Sequence, residues 1–256
     1  MHNLNLKLHK NILEQVFFLH DKRDFTIECV LEGTMCKVIS DCQISPSVFL
    51  IKNGSFYILG GDFENSQAEN ILNVIPSGAT ILPSPESWIS KLEKQPNVTL
   101  QKYERYSLNH ESISIHHLDR IILSKSNQLT ICQIDEAVAS DISTNENFKY
   151  HLENFESGSD FLNKGLGFVA IYDGLIVGVA SSALVCSSGY EISLMVLPKF
   201  RQKSIGKMLS ANLVRAILNQ NKIPHWDSAN EISLNLAIQL GYCFKSKYQV
   251  HKVVKI

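Results

Sequence analysis

The sequence predicts an α/β protein of the α+β kind, built in two parts, and three features predict it. Asn53-Gly54 and Asp173-Gly174 each lie between β-prone runs and supply the left-handed backbone that a tight hairpin requires. Apolar residues also recur at helical spacing, most clearly at Met208, Leu209, Leu213, Ala216 and Ile217. The third feature is a strand, basic turn and helix over residues 190–220. Its β-prone run, 191–196, stops at Leu197-Pro198 because proline cannot continue a ladder, and a basic, small-residue turn leads from Arg201 into the helix. The free N–H groups of that helix start favour anions, phosphates most of all.

In the first half, Ile12, Leu13, Val16, Phe17 and His20 share a helical face. Residues 25–31 and 35–39 read as two strands joined through Glu32-Gly33. Residues 48–51 and 56–59 flank Asn53-Gly54, and Gly60-Gly61 closes that hairpin. Ser66-Gln67-Ala68-Glu69 fits a capping box ahead of a helix with Ile71, Leu72 and Ile75. Residues 79–82 form a strand. Ser84-Pro85 supplies a cap and first-turn proline to a helix bearing Trp88, Ile89 and Leu92. Residues 98–106 are the next strand. No motif here carries chemistry: Trp88 reads as a core anchor, and the adjacent His116 and His117 point apart, as surface or linker residues. Ser, Asn and His accumulate between Leu108 and Gln128 around a short helical run at 118–123. We expect the break there, giving domains 1–120 and 121–256.

In the second half, residues 129–134 form a strand and Asp135 caps a helix over 136–142. Phe148, Leu152 and Phe155 mark a short helix before a turn at Ser157-Gly158-Ser159-Asp160. Residues 167–172 and 175–184 make the hairpin across Asp173-Gly174. Strand 190–196, the long helix, strand 223–226, helix 233–240 and closing strands at 243–248 and 250–254 complete the chain.

The totals narrow the function. A chain of 256 residues with a formal net charge of −1 has no general pull toward nucleic acid or an anionic membrane, so phosphate recognition has to be local. Six cysteines lie scattered with no Cys-x-x-Cys pair and no zinc spacing, which reads as free thiols in a reducing cytoplasm with no metal site. No signal peptide or anchor is evident, and no apolar run approaches the roughly 20 residues of a membrane helix.

Arg201-Gln202-Lys203-Ser204-Ile205-Gly206, following Val196-Leu197-Pro198, resembles the acetyl-CoA pyrophosphate loop of the Gcn5-related N-acetyltransferase (GNAT) superfamily, Arg/Gln-x-x-Gly-x-Gly/Ala, with Ser204 where the first glycine stands. Pro224-His225-Trp226-Asp227-Ser228-Ala229-Asn230, then Ser233, Leu236-Ala237 and Leu240-Gly241-Tyr242, resembles a two-part bacterial branch that includes zwittermicin-resistance acetyltransferases. The resemblance implies a C-terminal GNAT fold, with a mixed sheet that splays between its central strands, behind a smaller α/β domain. The resemblance carries over no role for that domain, for which covering the acceptor site and dimerising are both open.

The resemblance also implies acetyl-CoA as co-substrate and direct acetyl transfer to a small-molecule or peptide amine. Backbone N–H groups from Gln202 to Gly206, including those of Lys203, Ser204 and Ile205, would grip the pyrophosphate, with Arg201 and Lys203 adding charge. Ser204 is compatible with N-capping through its hydroxyl. N–H groups on Leu194, Met195 and Val196 would polarise the thioester carbonyl, where the family has a bulge. Asn230 and Ser233 match positions that hold the pantetheine arm or a phosphate, and Asn230 alternatively caps its helix. Glu191 is the candidate base, acting through water or with its pKa raised by burial; an ion pair is its alternative. Asp227 is the rival base or a turn-fixing residue. His225 titrates in a useful range but strand alternation is expected to turn it away from the neighbours of Trp226. The usual tyrosine acid is Ala237 here, Tyr242 reads as packing, and Tyr248 remains as candidate acid. Ser204 and Ala237 leave open a second reading, a non-catalytic acyl-CoA-binding or sensing module.

Overall fold

The computed structural model describes residues 1–18, 20, 25–124 and 129–255. The chain divides into two compact units, Met1–Arg105 with Lys247–Ile256, and Tyr106–Ser246. The division thus falls earlier than the expected break at 120, and the last strand returns to the first unit. Both differences follow from burial. Leu118 and Ile121 pack in the second unit's core, whereas Val250 and Val253 pack in the first. Residues 125–128, the end of the expected boundary stretch, lie outside the described residues.

The first unit runs β1 (His2–Asn3), α1 (Lys10–Phe17), α2 (Phe25–Glu32), β2 (Lys37–Ser40), β3 (Val48–Asn53), β4 (Phe56–Gly61), α3 (Ala68–Asn73), β5 (Thr80–Ile81), α4 (Glu86–Glu93) and most of β6 (Val98–Asn109). Strands β1 to β5 pair in order, antiparallel except for the parallel β4–β5 step, and residues 251–252 of the chain's last strand pair with β5. The hairpin between β3 and β4 forms, but Asn53 stays in β3 facing Phe56 and the turn is Gly54-Ser55, so of the expected pair only Gly54, at φ +55°, is left-handed.

Three local expectations fail here for identifiable reasons. Residues 25–31 are helical: Phe25, Thr26, Ile27, Cys29, Val30 and Leu31 are all buried, and a run buried on every side has no period to separate helix from strand. Gly33, at φ +67°, ends that helix. Its N–H donates to Val30 O and that of Thr34 to Cys29 O, a Schellman closure. The capping box at Ser66 does not form, since Asn65 Oδ1 accepts from Gln67 N at 2.7 Å and sets the helix entry instead. Ser84 likewise caps nothing; its hydroxyl accepts from Leu59 N and donates to Leu82 O.

The second unit holds the end of β6, α5 (Ile115–Leu123), β7 (Leu129–Gln133), α6 (Glu136–Thr144), a 3-10 turn Lys149–His151, α7 (Gly158–Lys164), β8 (Gly167–Tyr172), β9 (Leu175–Val185), β10 (Gly189–Val196), α8 (Ile205–Leu218), β11 (Ile223–His225), β12 (Asp227–Ser228), α9 (Glu231–Leu240) and the start of β13 (Cys243–Lys255). Asp135 caps α6 as expected, accepting from Val138 N. Ser157 starts α7, so the expected turn there is a helix N-terminus. The two expected closing strands are one, β13.

The second unit's sheet has the order β11-β10-β9-β8-β7, antiparallel from β7 to β10 and parallel at β10–β11. One face of α8 buries Ile205, Met208, Leu209, Leu213, Val214 and Ile217 with Val177, Ala180 and Ile192 of the sheet. Each such side chain contributes roughly 1.5–3 kcal/mol on burial, which fixes where the start of α8 lies. Among the described residues, no helix is long and apolar enough to cross a membrane.

Candidate active site

Strand β10 is paired along one edge and only at its beginning along the other. With β9 it pairs from Tyr190↔Val185 to Val196↔Gly178. With β11 it pairs only at Gly189↔Ile223, Tyr190↔Pro224 and Glu191↔His225. Beyond His225 the chain turns away at Trp226, and Asp227 and Ser228 pair with Ser107 and Tyr106. Among the described residues, no strand pairs with residues 192–196 on that side, so the sheet parts there.

Alternation decides which amides face the gap. Leu197 N donates to Val177 O of β9 at 2.9 Å. The backbone of Met195 therefore also turns toward β9, and those of Leu194 and Val196 toward the gap. The Arg201 side chain agrees, its Nε donating to Val196 O at 3.1 Å. Leu194 and Val196 thus offer N–H groups to a carbonyl in the gap, while Met195 contributes its side chain to the opposite face. The bulge expected at 194–196 lies elsewhere: the register shifts between Glu191 and Ile192, where β9 carries the extra residue, Ala183.

The loop between β10 and α8 is shaped by two left-handed residues, Gln202 at φ +61° and Ser204 at φ +59°. Ser204 makes no side-chain cap bond, which corrects the expectation that its hydroxyl caps the helix. Its φ supplies the reason glycine suits this position, because a β-carbon in that conformation costs roughly 1–2 kcal/mol. Met208 N donates to Ser204 O at 3.0 Å, the first bond of the helix ladder, so the N–H groups of Ile205, Gly206 and Lys207 precede it. Lys203 Nζ lies 5.3 Å from the Phe200 ring centroid. A groove of about 270 Å³ runs along the same helix start, lined by His117, Arg120, Ile121, Ser124, Ser204, Lys207 and Met208. His117 is fixed there, its Nε2 bonded to Gln239 O and its Nδ1 to Arg120.

The two faces of β10 differ. Leu194 and Val196 reach toward Gly206 of α8, so Glu191, Ser193 and Met195 face the other way. Glu191 bonds His225 there, Nδ1 of the imidazole meeting a carboxylate oxygen, and the side chains are 18% and 22% exposed. Parallel register sets His225 opposite Glu191 on the same face, a partnership that the sequence reading did not foresee. Ser193 pairs with Ser181, whose hydroxyl meets Nδ1 of the buried His151 at 2.7 Å.

A family model described as GNAT acetyltransferase matches residues 16–251. The chain belongs to that family. A protein of Bacillus subtilis (strain 168) named uncharacterized N-acetyltransferase YdfB is 24% identical over 224 residues, 84% of each chain. A GCN5-related N-acetyltransferase-like protein of Streptococcus suis 89/1591 has the same fold, with a TM-score of 0.84 at 24% identity over 97% of this chain and 99% of that one. An acetyltransferase described as putative in its name, from Novosphingobium aromaticivorans DSM 12444, aligns with a TM-score of 0.54 at 13% identity over 83% and 90%. As a GNAT acetyltransferase the protein is an enzyme of acetyl transfer, and acetyl-CoA is its co-substrate.

The residues present fit that cofactor. A β-carbon on Gly206 would lie 3.5 Å from Leu194 Cδ2, 3.6 Å from Val196 Cγ2 and 3.7 Å from Leu236 Cδ2, ordinary contacts that no packing forbids. Glycine here leaves the helix start bare for a ligand rather than relieving the protein. The second motif is chiefly a brace. Asn230 Oδ1 accepts from Ser233 N at 3.0 Å and caps α9, and Ser233 Oγ accepts from Trp226 Nε1 at 3.0 Å. Tyr242 is buried, its ring edge-on to Trp226 and its hydroxyl donating to Pro224 O at 2.8 Å. Burial, and then the nearby Glu191 carboxylate, hold that phenol well above its ordinary pKa. Ala237 is fully buried in the core, and Tyr248 lies in the first unit, half-buried against the cluster of Leu13, Phe17 and Val250.

Sequence reasoning missed the groove cations Arg120 and Lys207 and the partnership of His225 with Glu191. The spacing of His116, His117 and Arg120 on one short helix was a signal for the first; nothing short of strand register reveals the second.

Proposed function

We propose that this protein moves the acetyl group of acetyl-CoA onto an amine by direct attack, with no acetylated enzyme on the way. One observation carries the reading: the open edge of β10 and the bare start of α8 adjoin, joined by a loop whose Arg201 reaches back to Val196. The amides at Ser204, Ile205 and Gly206, with Gln202 and the charges of Arg201 and Lys203, would hold the diphosphate. Leu194 N–H and Val196 N–H would polarise the thioester carbonyl, a contribution of a few kcal/mol for preorganised donors of this kind. Asn230 and Ser233 would meet the pantetheine arm or a cofactor phosphate from the start of α9.

The amine approaches from the face bearing Glu191, Ser193 and Met195, and Glu191 provides the carboxylate that manages its proton. The leaving thiolate takes its proton from solvent. The Pro-x-Trp-Asp-x-x-Asn-x-x-Ser brace supports membership of the bacterial branch that includes zwittermicin-resistance acetyltransferases. All six cysteines are free thiols, which supports a reducing, cytoplasmic setting.

The test is thermal melting with acetyl-CoA, followed by release of CoA thiol with a panel of small amines and peptides. Cofactor at about 100 times its Kd should add roughly 2.7 kcal/mol of stability. Melting that is indifferent to acetyl-CoA would refute the reading.

A further inference from the structure

Two cations, Arg120 of α5 and Lys207 of α8, line the groove at the start of α8. We propose that they hold the 3′-phosphate of acetyl-CoA, so that the protein takes its acetyl group from the complete cofactor in preference to a thioester that lacks this phosphate. The proposal rests on the reading that sets the diphosphate on the amides of the same helix start, and it names the subsite beside them.

Charge is the first support. The acid beside Arg120 on α5, Asp119, is engaged elsewhere, accepting from Nε of Arg215 on α8 at 2.5 Å. Among the described residues, no carboxylate pairs with Arg120 or Lys207. Lys207 is half-buried all the same, and two like charges in one groove repel each other until an anion joins them. Positioning is the second support. A backbone carbonyl only accepts, so His117 Nε2 carries the hydrogen of its 2.9 Å bond to Gln239 O. Nδ1 of the neutral ring is then an acceptor, and Arg120 donates to it at 3.3 Å. Through His117, a positioning residue, α9 braces the guanidinium at the groove.

Size is the third. At about 270 Å³ the groove is smaller than the roughly 300–1,000 Å³ of a site that encloses a whole ligand, so it takes one group of the cofactor. It runs from Ser204 to Lys207 and Met208, one helical turn or about 5.4 Å along α8. A ribose separates its 5′ and 3′ phosphates by a similar span. A diphosphate on the amides of Ser204, Ile205 and Gly206 therefore leaves the 3′-phosphate one sugar away, beside Arg120 and Lys207, with Ile121 and Met208 as an apolar wall for the sugar. That phosphate is a monoester and carries close to two negative charges at neutral pH. The guanidinium offers it a fork and the ammonium a point charge. Neither cation belongs to the loop from Arg201 to Gly206, so the two subsites are separate in sequence. A thioester on a protein-bound phosphopantetheine has neither the adenosine nor this phosphate, which makes it a poor donor here.

Calorimetry compares acetyl-CoA with acetyl-dephospho-CoA, which lacks only the 3′-phosphate. The wild type should bind acetyl-CoA at least about tenfold more tightly. Arg120→Gln combined with Lys207→Gln should bring that ratio close to one. His117→Ala should lower it in part, and His117→Asn, whose amide oxygen still accepts from Arg120, should keep more of it. A general loosening of the helix start weakens both ligands alike and leaves the ratio where it was. Should the double variant fail to fold, competition on the wild type decides: adenosine 3′,5′-bisphosphate should displace acetyl-CoA at least about tenfold better than adenosine 5′-phosphate. Equal affinity of the wild type for the two thioesters, equal competition by the two nucleotides, or a ratio that the double variant retains overturns the proposal alone. A ratio unchanged in His117→Ala overturns the part given to His117. Binding of neither thioester overturns the acetyltransferase reading, and this proposal with it.

Discussion

Acidifying the protein from about pH 7.5 to about pH 5 is expected to weaken the fold by about 2 kcal/mol through His151. The ring is 2% exposed, stacked on Tyr150 at 4.4 Å between centroids, with Nδ1 bonded to the Ser181 hydroxyl. Burial pushes its pKa from 6.5 down to about 3. The unfolded chain therefore takes up a proton near pH 6.5 that the folded chain refuses until about pH 3. Stability is complete above the higher value and drains away as the pH falls between the two. By about pH 5 the gap has opened over roughly one and a half units, and each unit is worth about 1.4 kcal/mol. His110 and His251 are also depressed, chiefly by burial, and push in the same direction, so the contribution of His151 has to be isolated by difference. Urea denaturation of wild type and His151→Gln at both pH values does this. The wild type should lose about 2 kcal/mol more than the variant. Equal losses would mean that the folded protein accommodates the charged ring, and the burial argument would fail.

Four further outcomes follow from the site. Ser204→Gly should stabilise the fold by up to about 1 kcal/mol, the left-handed cost relieved less glycine's extra unfolded entropy, without weakening acetyl-CoA binding; a less stable variant would assign a hidden role to the hydroxyl. Gly206→Ala should fold at least as well as wild type but bind acetyl-CoA at least about tenfold more weakly by calorimetry, about 1.4 kcal/mol or more, since the added carbon crowds the ligand and not the protein. Exchanging Arg120 and Lys207 together for Glu should weaken acetyl-CoA binding and flatten its salt dependence; unchanged binding would detach the groove from the cofactor. Asn230→Ala should cost about 1 kcal/mol in denaturation as a lost helix cap, and Asn230→Asp should restore most of it.

Where the sequence was legible, short-range chemistry was the reason. Asp173-Gly174 made its hairpin because a two-residue turn is decided by its own residues, and Gly54 made the other one position late, in a Gly54-Ser55 turn. Asp135 capped α6 for the same reason. The helix at residues 25–32 was illegible because its faces are all buried, and Glu32-Gly33, read as a joint between strands, was in fact a helix stop. Asn65 pre-empted the capping box one residue upstream, a competition between two local hydrogen bonds whose winner neither pattern announces.

The site divides along the same line. The loop from Arg201 to Gly206 is contiguous, so its residues and its helix start were readable together, and the left-handed φ of Ser204 explains the glycine it replaces. The pairing of Glu191 with His225 joins residues 34 apart through parallel register. In a parallel pair no turn fixes the alignment, and a slip of one residue would send the histidine to the α8 face. What fixes it lies elsewhere. Tyr242 ties Pro224, Trp226 ties Ser233, and Asp227 and Ser228 pair with β6. The Pro-x-Trp-Asp motif thus sets the alignment of the strand whose His225 meets Glu191. A change at Trp226 or Ser233 should accordingly loosen the Glu191–His225 contact, read as a shift of the His225 ring resonances, without touching either side chain.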